Sequence, residues 1–390
     1  MRFFLVIIVL GVAGYAGYRY WGPESTGDGG GSPFVYDEGT SDGPKLAGDE
    51  PLAPANPSEL DALRTAIHQT RSPEGDSDRR RLYRLLIAEG TAAARREAET
   101  LIRQMESGGG RLSDWAANQA FVKFDEGAAK IEKARAIVAR GPNAGAFALA
   151  AEALGDAAAQ TRKDSGRVEA WEHYSDAYFA LDDDDGQGAE ARARLREKLD
   201  PIVDRIVFSP YSDPRFEIYT VQSGDSLDRI ARKFKTTVET IQRVNRLDTT
   251  IIHPKDKLKV LGGDLKIIVD KTEFRLDVQL NGRYLFSSPV GLGKDGRTPI
   301  GGFVIETRQT NPDWFARGRK VPYGDPENPL GNRWLGFKDT DQYDGFGIHG
   351  TDEPDTIGTE SSAGCVRLRD AEVKALFALI PRGTAVSIRE

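Results

Sequence analysis

The sequence predicts a multidomain chain with an N-terminal membrane segment, an α-helical region, a small βααβ unit and a mostly β C-terminal domain. Three observations predict it. The chain opens on an apolar run, its middle is rich in Ala, Glu, Arg and Leu, and from Leu265 onward short segments alternate apolar and polar residues between loops bearing Gly and Pro.

Phe3 to Tyr18 is an uncharged, mostly apolar run of 16 residues. As a helix it reaches ~24 Å, somewhat less than a ~30 Å hydrocarbon core. Arg2 and Arg19 can snorkel at its ends, and Tyr18, Tyr20 and Trp21 are rings suited to an interface. Gly14-Tyr15-Ala16 instead offers small residues at cleavage-like spacing. Residues 1–21 are therefore a transmembrane anchor or a signal segment, and either one exports the rest of the chain. Arg2 and the amino terminus put more positive charge before the run than Arg19 puts after it, which orients the bulk of the chain outside the inner membrane, in the periplasm. The expected location is the cell envelope. Residues 22–57, rich in Gly, Pro, Ser and Asp, cannot bury enough surface to offset chain entropy and read as a disordered linker.

Residues 58–207 favour helix by propensity and pattern, in runs such as TAAARREAETLIRQM. Ser107-Gly108-Gly109-Gly110, Gly141-Pro142 and the run Asp182 to Asp185 before Gly186 break the helices. Several antiparallel helices are expected; alanine-rich similarity along them gives no convincing period, and a helical-repeat reading stays as an alternative. The acidic run is a solvated helix-end loop and not a calcium loop, because Leu181 stands where the first acidic ligand belongs. This region is left as the surface for a protein partner of unknown identity.

Residues 216–263 form the βααβ unit. Ile218 to Val221 is β-prone. Ser226 then caps a helix with Leu227, Ile230, Ala231 and Phe234 on one face. Val238, Ile241 and Val244 line a second helix closed by Asn245, and Lys257 to Leu261 returns as a strand. In the last domain, 264–390, Phe274 to Leu280 alternates apolar and polar, Asn281-Gly282 supplies a two-residue hairpin turn, and Arg283 to Phe286 begins the return. Gly302 to Thr307 and Ala385 to Ile388 are further strands. Asp370 is expected to cap one helix carrying Val373, Leu376, Phe377 and Ile380.

The net charge of -7, from 53 basic and 60 acidic side chains spread along the chain, leaves no basic stripe to neutralise a phosphate backbone, so nucleic acid is excluded as a partner. One cysteine cannot form an intramolecular disulfide, and with four scattered histidines it does not make the usual zinc site. No metal and no cofactor are expected. The thiol needs another explanation. Cys365 and His349 are the only Cys and His of the last domain, 16 positions apart and both flanked by glycine, in Gly347-Ile348-His349-Gly350 and Ser362-Ala363-Gly364-Cys365. A thiol needs a nearby base to become a thiolate near neutral pH, and a glycine turn exposes N–H groups that can hold an oxyanion.

Two resemblances sharpen this reading. The string from Tyr219 to Val260 is similar over its length to the LysM module, through Tyr219-Thr220-Val221, Gly224-Asp225-Ser226-Leu227, Ile230-Ala231, Phe234, Ile241, Asn245 and Leu258. LysM modules bind N-acetylglucosamine-containing glycans. The resemblance implies sugar contacts from Gly224, Asp225, Ser226 and Leu227 and from the segment before the last strand; the alternative, that these residues only build the fold, stays open. His253 in that segment reads as solvated.

The stretch from Gly291 to Ile388 resembles the catalytic domain of the L,D-transpeptidase family, the YkuD-type fold. The matching text is Gly291-Leu292-Gly293-Lys294, Arg297-Thr298-Pro299-Ile300-Gly301-Gly302-Phe303, Asn328-Pro329-Leu330-Gly331, Gly347-Ile348-His349-Gly350-Thr351 and Ser362-Ala363-Gly364-Cys365-Val366-Arg367-Leu368. It implies acyl transfer on peptidoglycan stem peptides. Cys365 is then the nucleophile, His349 its base, the Gly350 carbonyl orients the imidazole, and the N–H groups of Gly364 and Cys365 hold the oxyanion. Arg367 binds a stem carboxylate or makes a structural salt bridge. Ser362, Tyr343, Phe346 and Trp314 line the cleft or pack in the core. One departure is Ala363, where many members carry His. Hydrolysis at the same site, giving a carboxypeptidase, and an inactive wall-binding scaffold are the alternatives.

Overall fold

The computed structural model describes residues 57–69, 75–107, 110–142, 146–181, 188–316 and 318–390. The expected anchor or signal, 1–21, and the linker up to residue 56 lie outside them, as does the acidic run 182–186. Among the described residues no helix is long and apolar enough to cross a membrane.

The helical region runs α1 (Pro57–Gln69), α2 (Asp76–Glu89), α3 (Ala92–Glu106), α4 (Gly110–Lys123), α5 (Gly127–Ala139), α6 (Phe147–Ala159), α7 (Asp164–Phe179) and α8 (Gly188–Ile202). The third shows how sequence sets such a helix. Thr91 caps it by accepting from Ala94 N at 3.1 Å, Ala94, Ala98, Leu101, Ile102 and Met105 bury one face, and it stops at Ser107. The odd-numbered helices begin at 57, 92, 127 and 164, that is, at intervals of 35, 35 and 37 residues. This favours the helical-repeat alternative: the spacing is close to the ~34 residues of helical-hairpin repeats. The repeat lies in where helices start, and alanine-rich faces pack interchangeably without leaving signature residues. Leu60, Leu82, Leu86, Ala98, Ile102 and Ala116 form one core among α1 to α4, whereas Ala117 and Phe121 of α4 belong to a second that continues through α8 into the C-terminal sheet.

The βααβ unit has the expected elements, β1 (Glu217–Thr220), α9 (Leu227–Phe234), α10 (Val238–Asn245) and β2 (Lys257–Val260), with β1 and β2 antiparallel. Ser226 and Thr237 cap the helices by accepting from Arg229 N and Thr240 N.

The last domain contains β3 (Leu265–Asp270), β4 (Arg275–Leu280), β5 (Arg283–Pro289), β6 (Leu292–Gly293), β7 (Gly301–Thr310), β8 (Trp314–Ala316), β9 (Arg319–Val321), β10 (Arg333–Phe337), β11 (Gly347–His349), β12 (Glu360–Ser362), β13 (Val366–Arg367), α11 (Asp370–Leu379) and β14 (Ala385–Arg389). Eight strands form one sheet in the order β13-β11-β10-β7-β14-β3-β4-β5, with β11–β13 and β14–β3 parallel and the other pairs antiparallel. Asn281 and Gly282 both take positive φ, 52° and 77°, as a two-residue hairpin turn demands. Asp370 is not the cap of α11. The cap position is Arg369, and the Asp370 carboxylate instead accepts from Asn332 Nδ2 at 2.5 Å.

A second departure concerns β4. Its alternation reads as one buried and one solvated face, yet Asp277 is buried, because Tyr178 of α7 donates to it at 2.8 Å and Arg275 pairs with it. The helical region lies against this edge of the sheet. On β5, the edge strand, Tyr284 O accepts from Trp171 Nε1 at 2.6 Å, Tyr284 N donates to Ser175 Oγ at 3.0 Å, and Tyr284 OH donates to Asp200 at 2.7 Å. Side chains of α7 thus supply the donor and acceptor that a further strand would have provided. Trp171→Phe keeps a ring but leaves the buried Tyr284 carbonyl without its donor. We expect it to cost about 1–3 kcal/mol, read as a lower urea midpoint at unchanged slope.

Candidate active site

The parallel pair β11–β13 sets Ile348 against Val366 and His349 against Arg367. Cys365 enters β13 from a turn, so it lies across from Gly347 and diagonal to His349, on the face that His349 shares with Arg367. Gly347, without a side chain, lies between the thiol and the imidazole, and its N–H faces the sulfur. Cys365 is partly exposed, while His349 is buried behind it.

Three neighbours fix the imidazole. Its Nδ1 lies 2.5 Å from Gly350 O, and the Leu330 carbonyl also faces the ring. Trp334, directly opposite on β10, stacks on it with centroids 5.8 Å apart and planes at 29°. Two glycines make room for that indole: a Cβ on Gly336 would meet Trp334 Nε1 at 2.5 Å, and one on Gly347 would meet the ring at 2.8 Å.

Burial controls the electrostatics. It pushes His349 down to about 4; the Arg367 guanidinium adds to this, and the Gly350 and Leu330 carbonyls oppose it. Burial pushes the Cys365 thiol up to about 11, with the Gly347 N–H opposing. The resting pair is therefore neutral thiol and neutral imidazole, and the base does not hold a standing thiolate near neutral pH.

The turn before Cys365 is braced from inside. Ser362 Oγ accepts from Gly364 N at 3.1 Å and donates to Cys365 O at 2.8 Å. Thr298 Oγ1, buried, donates to Gly364 O at 2.9 Å and accepts from Gly293 N at 2.8 Å. Two expectations change here. The Gly364 N–H, expected to serve an oxyanion, is already bonded to Ser362, and the Ser362 hydroxyl, expected at substrate, is engaged on both sides in shaping the turn. Arg367 falls on the structural side of its alternatives: it is buried, with its guanidinium on Ser361 Oγ and 3.5 Å from Glu353, and its main chain pairs with Gly291.

Phe346 packs on the turn, where a Cβ on Gly364, at φ 146°, would meet its ring at 2.6 Å. Tyr343 stands edge-on to Phe346 at 5.9 Å and to Phe303 at 6.0 Å. Trp314 stands in the β8–β9 hairpin, paired with Val321; the Asn328 amide donates to Pro312 O and Val321 O and so ties the base of that hairpin. In the βααβ unit the four residues expected at sugar do structural tasks. Asp225 accepts from Tyr219 OH and Gln222 N, Ser226 caps α9, Leu227 is core, and the Gly224 carbonyl accepts from Arg229. Among the described residues no three His, Cys, Asp or Glu side chains converge to hold a metal ion.

Sequence reading missed Trp334 as a neighbour of the base and Thr298 as a brace. Thr298 stands within one of the family-like motifs, whereas Trp334 gains its place only through strand register.

Residues 264–388 match the family of L,D-transpeptidase catalytic domains (YkuD), and residues 219–261 match the LysM domain. YqjB of Bacillus subtilis, assigned to the L,D-transpeptidases, is 40% identical over 133 residues, covering 33% of this chain and 74% of that protein. YkuD of Bacillus licheniformis, assigned likewise, is 32% identical over 187 residues, covering 44% of this chain and 98% of that protein. The solved L,D-transpeptidase from Mycobacterium smegmatis is 19% identical with a TM-score of 0.28, over 33% of this chain and 60% of that one.

An exposed imidazole takes a proton near ~6.5, whereas His349 stays neutral in the fold down to about 4. Between those values the unfolded chain binds more protons, so stability falls as pH drops through that window. Trp334→Leu admits water to the imidazole and should raise its titration midpoint by roughly a unit or more, followed by NMR. Iodoacetamide alkylation of Cys365 should rise steadily from neutral to alkaline pH. A plateau between pH ~5 and ~7 would instead reveal a resting thiolate–imidazolium pair.

Proposed function

Because the chain belongs to the L,D-transpeptidase family, we propose that Cys365 acylates itself with a peptidoglycan stem peptide and passes that acyl group to an amine. The observation that carries the reading is the geometry of the base: with Nδ1 held at Gly350 O, the Nε2 lone pair of His349 is left for the chain's one thiol, entering the neighbouring strand.

The Cys365 sulfur attacks the carbonyl of the third residue of a tetrapeptide stem while its proton passes to His349 Nε2. Starting from neutral partners, that transfer accompanies bond formation, and charge appears only when the oxyanion does. The Cys365 N–H donates to the oxyanion. Collapse breaks the bond to the terminal D-alanine, whose amine takes the proton from Nε2, and a thioester remains. An acceptor amine then loses a proton to Nε2 and attacks; collapse expels the sulfur, which recovers its proton. The acceptor is an amine of a neighbouring stem or of an anchored protein. Phe346 and Tyr343, beside the turn, form a wall for the incoming stem.

The LysM and transpeptidase domains mark a cell-wall-related protein. We place it in the envelope, anchored through residues 1–21 with its bulk in the periplasm and the LysM module on glycan strands; α1 to α4, which keep a core of their own, are the part left for a protein partner. Protection of the C-terminal domain from protease in spheroplasts would refute that topology.

Intact mass on a disaccharide-tetrapeptide tests the chemistry. We expect Cys365 to gain the donor mass less alanine, and product analysis with an amine acceptor to give the transferred peptide. Cys365→Ala, His349→Ala and the double variant should fall to a common floor, since members of one catalytic unit are strongly non-additive. Ala363→His should change kcat/KM by roughly tenfold or less.

A further inference from the structure

The connection between the LysM module and the catalytic domain is Leu261-Gly262-Gly263-Asp264, a text that reads as a flexible joint. It is pinned. Gly263, at φ 141°, packs so closely on Asn281 that a Cβ there would meet the amide at 2.6 Å. Asn281 Oδ1 accepts from Asp264 N at 2.9 Å, and Asn281 N donates to Asp264 O at 2.9 Å. The hairpin turn of the catalytic sheet thus clasps the linker.

Both flanks of the module are fixed as well. On one, Thr237 and Thr240 of α10 bond to Ala378 O of α11, the latter at 3.1 Å, and Glu239 stands 3.9 Å from Arg308, whose guanidinium lies over Phe377. On the other, Lys259 is buried with Nζ on Ile206 O and Ser209 O and over the Phe216 ring, while Arg243 pairs with Asp204. Val244 and Leu261 are part of the core shared with the catalytic sheet. A tethered binding module needs none of this, because a flexible linker already raises local concentration.

We propose that the docked LysM module acts as a register element: it presents a bound glycan strand at one fixed offset from Cys365, so that the preferred donor is a stem still attached to a multi-sugar strand. The proposal rests on the acyl-transfer reading above and adds its substrate class. On this proposal a free muropeptide, which carries no strand for the module to hold, gains nothing from it.

The test compares full-length protein on a linear peptidoglycan oligomer carrying tetrapeptide stems and on its disaccharide-tetrapeptide monomer. Thr240→Lys wedges α10 from α11, and Asn281→Gly releases the linker; neither residue belongs to the catalytic turn. Wild type should favour the oligomer by roughly tenfold or more in kcat/KM. Both variants should lose that preference, with the monomer rate within about twofold of wild type and co-sedimentation with peptide-stripped wall unchanged. If Thr240→Lys no longer sediments, its LysM fold is damaged and Asn281→Gly decides. Equal rates on the two substrates in wild type overturn the proposal, as does a retained preference in a variant whose linker has become protease-sensitive. Absence of any Cys365 acyl adduct in wild type overturns the acyl-transfer reading itself.

Discussion

The parallel pairing of Ile348 with Val366 sets Cys365 beside His349, and much of the surrounding architecture keeps that pairing in place. Gly291 closes the outer side of β13 with two main-chain bonds to Arg367, while Trp334 covers the inner side across β11. The imidazole is held by the Gly350 carbonyl and the Trp334 ring, and the glycines at 336 and 347 leave room for that indole. A shift of register by one residue would turn His349 to the opposite face of the sheet.

Burial has a chemical consequence. A partly exposed thiol with a buried imidazole behind it keeps both groups uncharged at rest, which avoids an isolated buried charge. In the proposed acyl transfer, ionisation is then tied to the presence of a carbonyl to attack and an N–H to receive the oxyanion. The inner hydrogen bonds of the turn, through Ser362 and Thr298, hold the Cys365 N–H in place without occupying it.

The parts outside the catalytic sheet are built onto it. The far edge strand, β5, has its main chain satisfied by Trp171 and Ser175, so α7 both closes an open edge and contributes to the core. The LysM module is held between this helical region and α11. One core runs from Ala117 to Ile388 and takes in Val244 and Leu261 of the LysM module, while α1 to α4 and the centre of the module keep cores of their own.

Local chemistry made much of this legible in sequence. The period-two pattern and Asn281-Gly282 determined the β4–β5 hairpin, Ser226 and the apolar spacing determined α9, and a single Cys and His set in glycine singled out the pair proposed to react, because turns, caps and scarce nucleophiles each depend on a few adjacent residues. Tertiary structure decided the rest. Asp277 looked solvated until Tyr178, nearly a hundred positions earlier, bonded to it; Gly364 N–H looked available until Ser362 took it; and the bond of Asn281 to Asp264 beside Gly263 links residues 17 positions apart. The hairpin period of the helical region was hidden because alanine faces pack without signature residues. Trp334 reaches His349 only through strand register, and register is set by pairing across the sheet, which the order of residues along one strand does not encode.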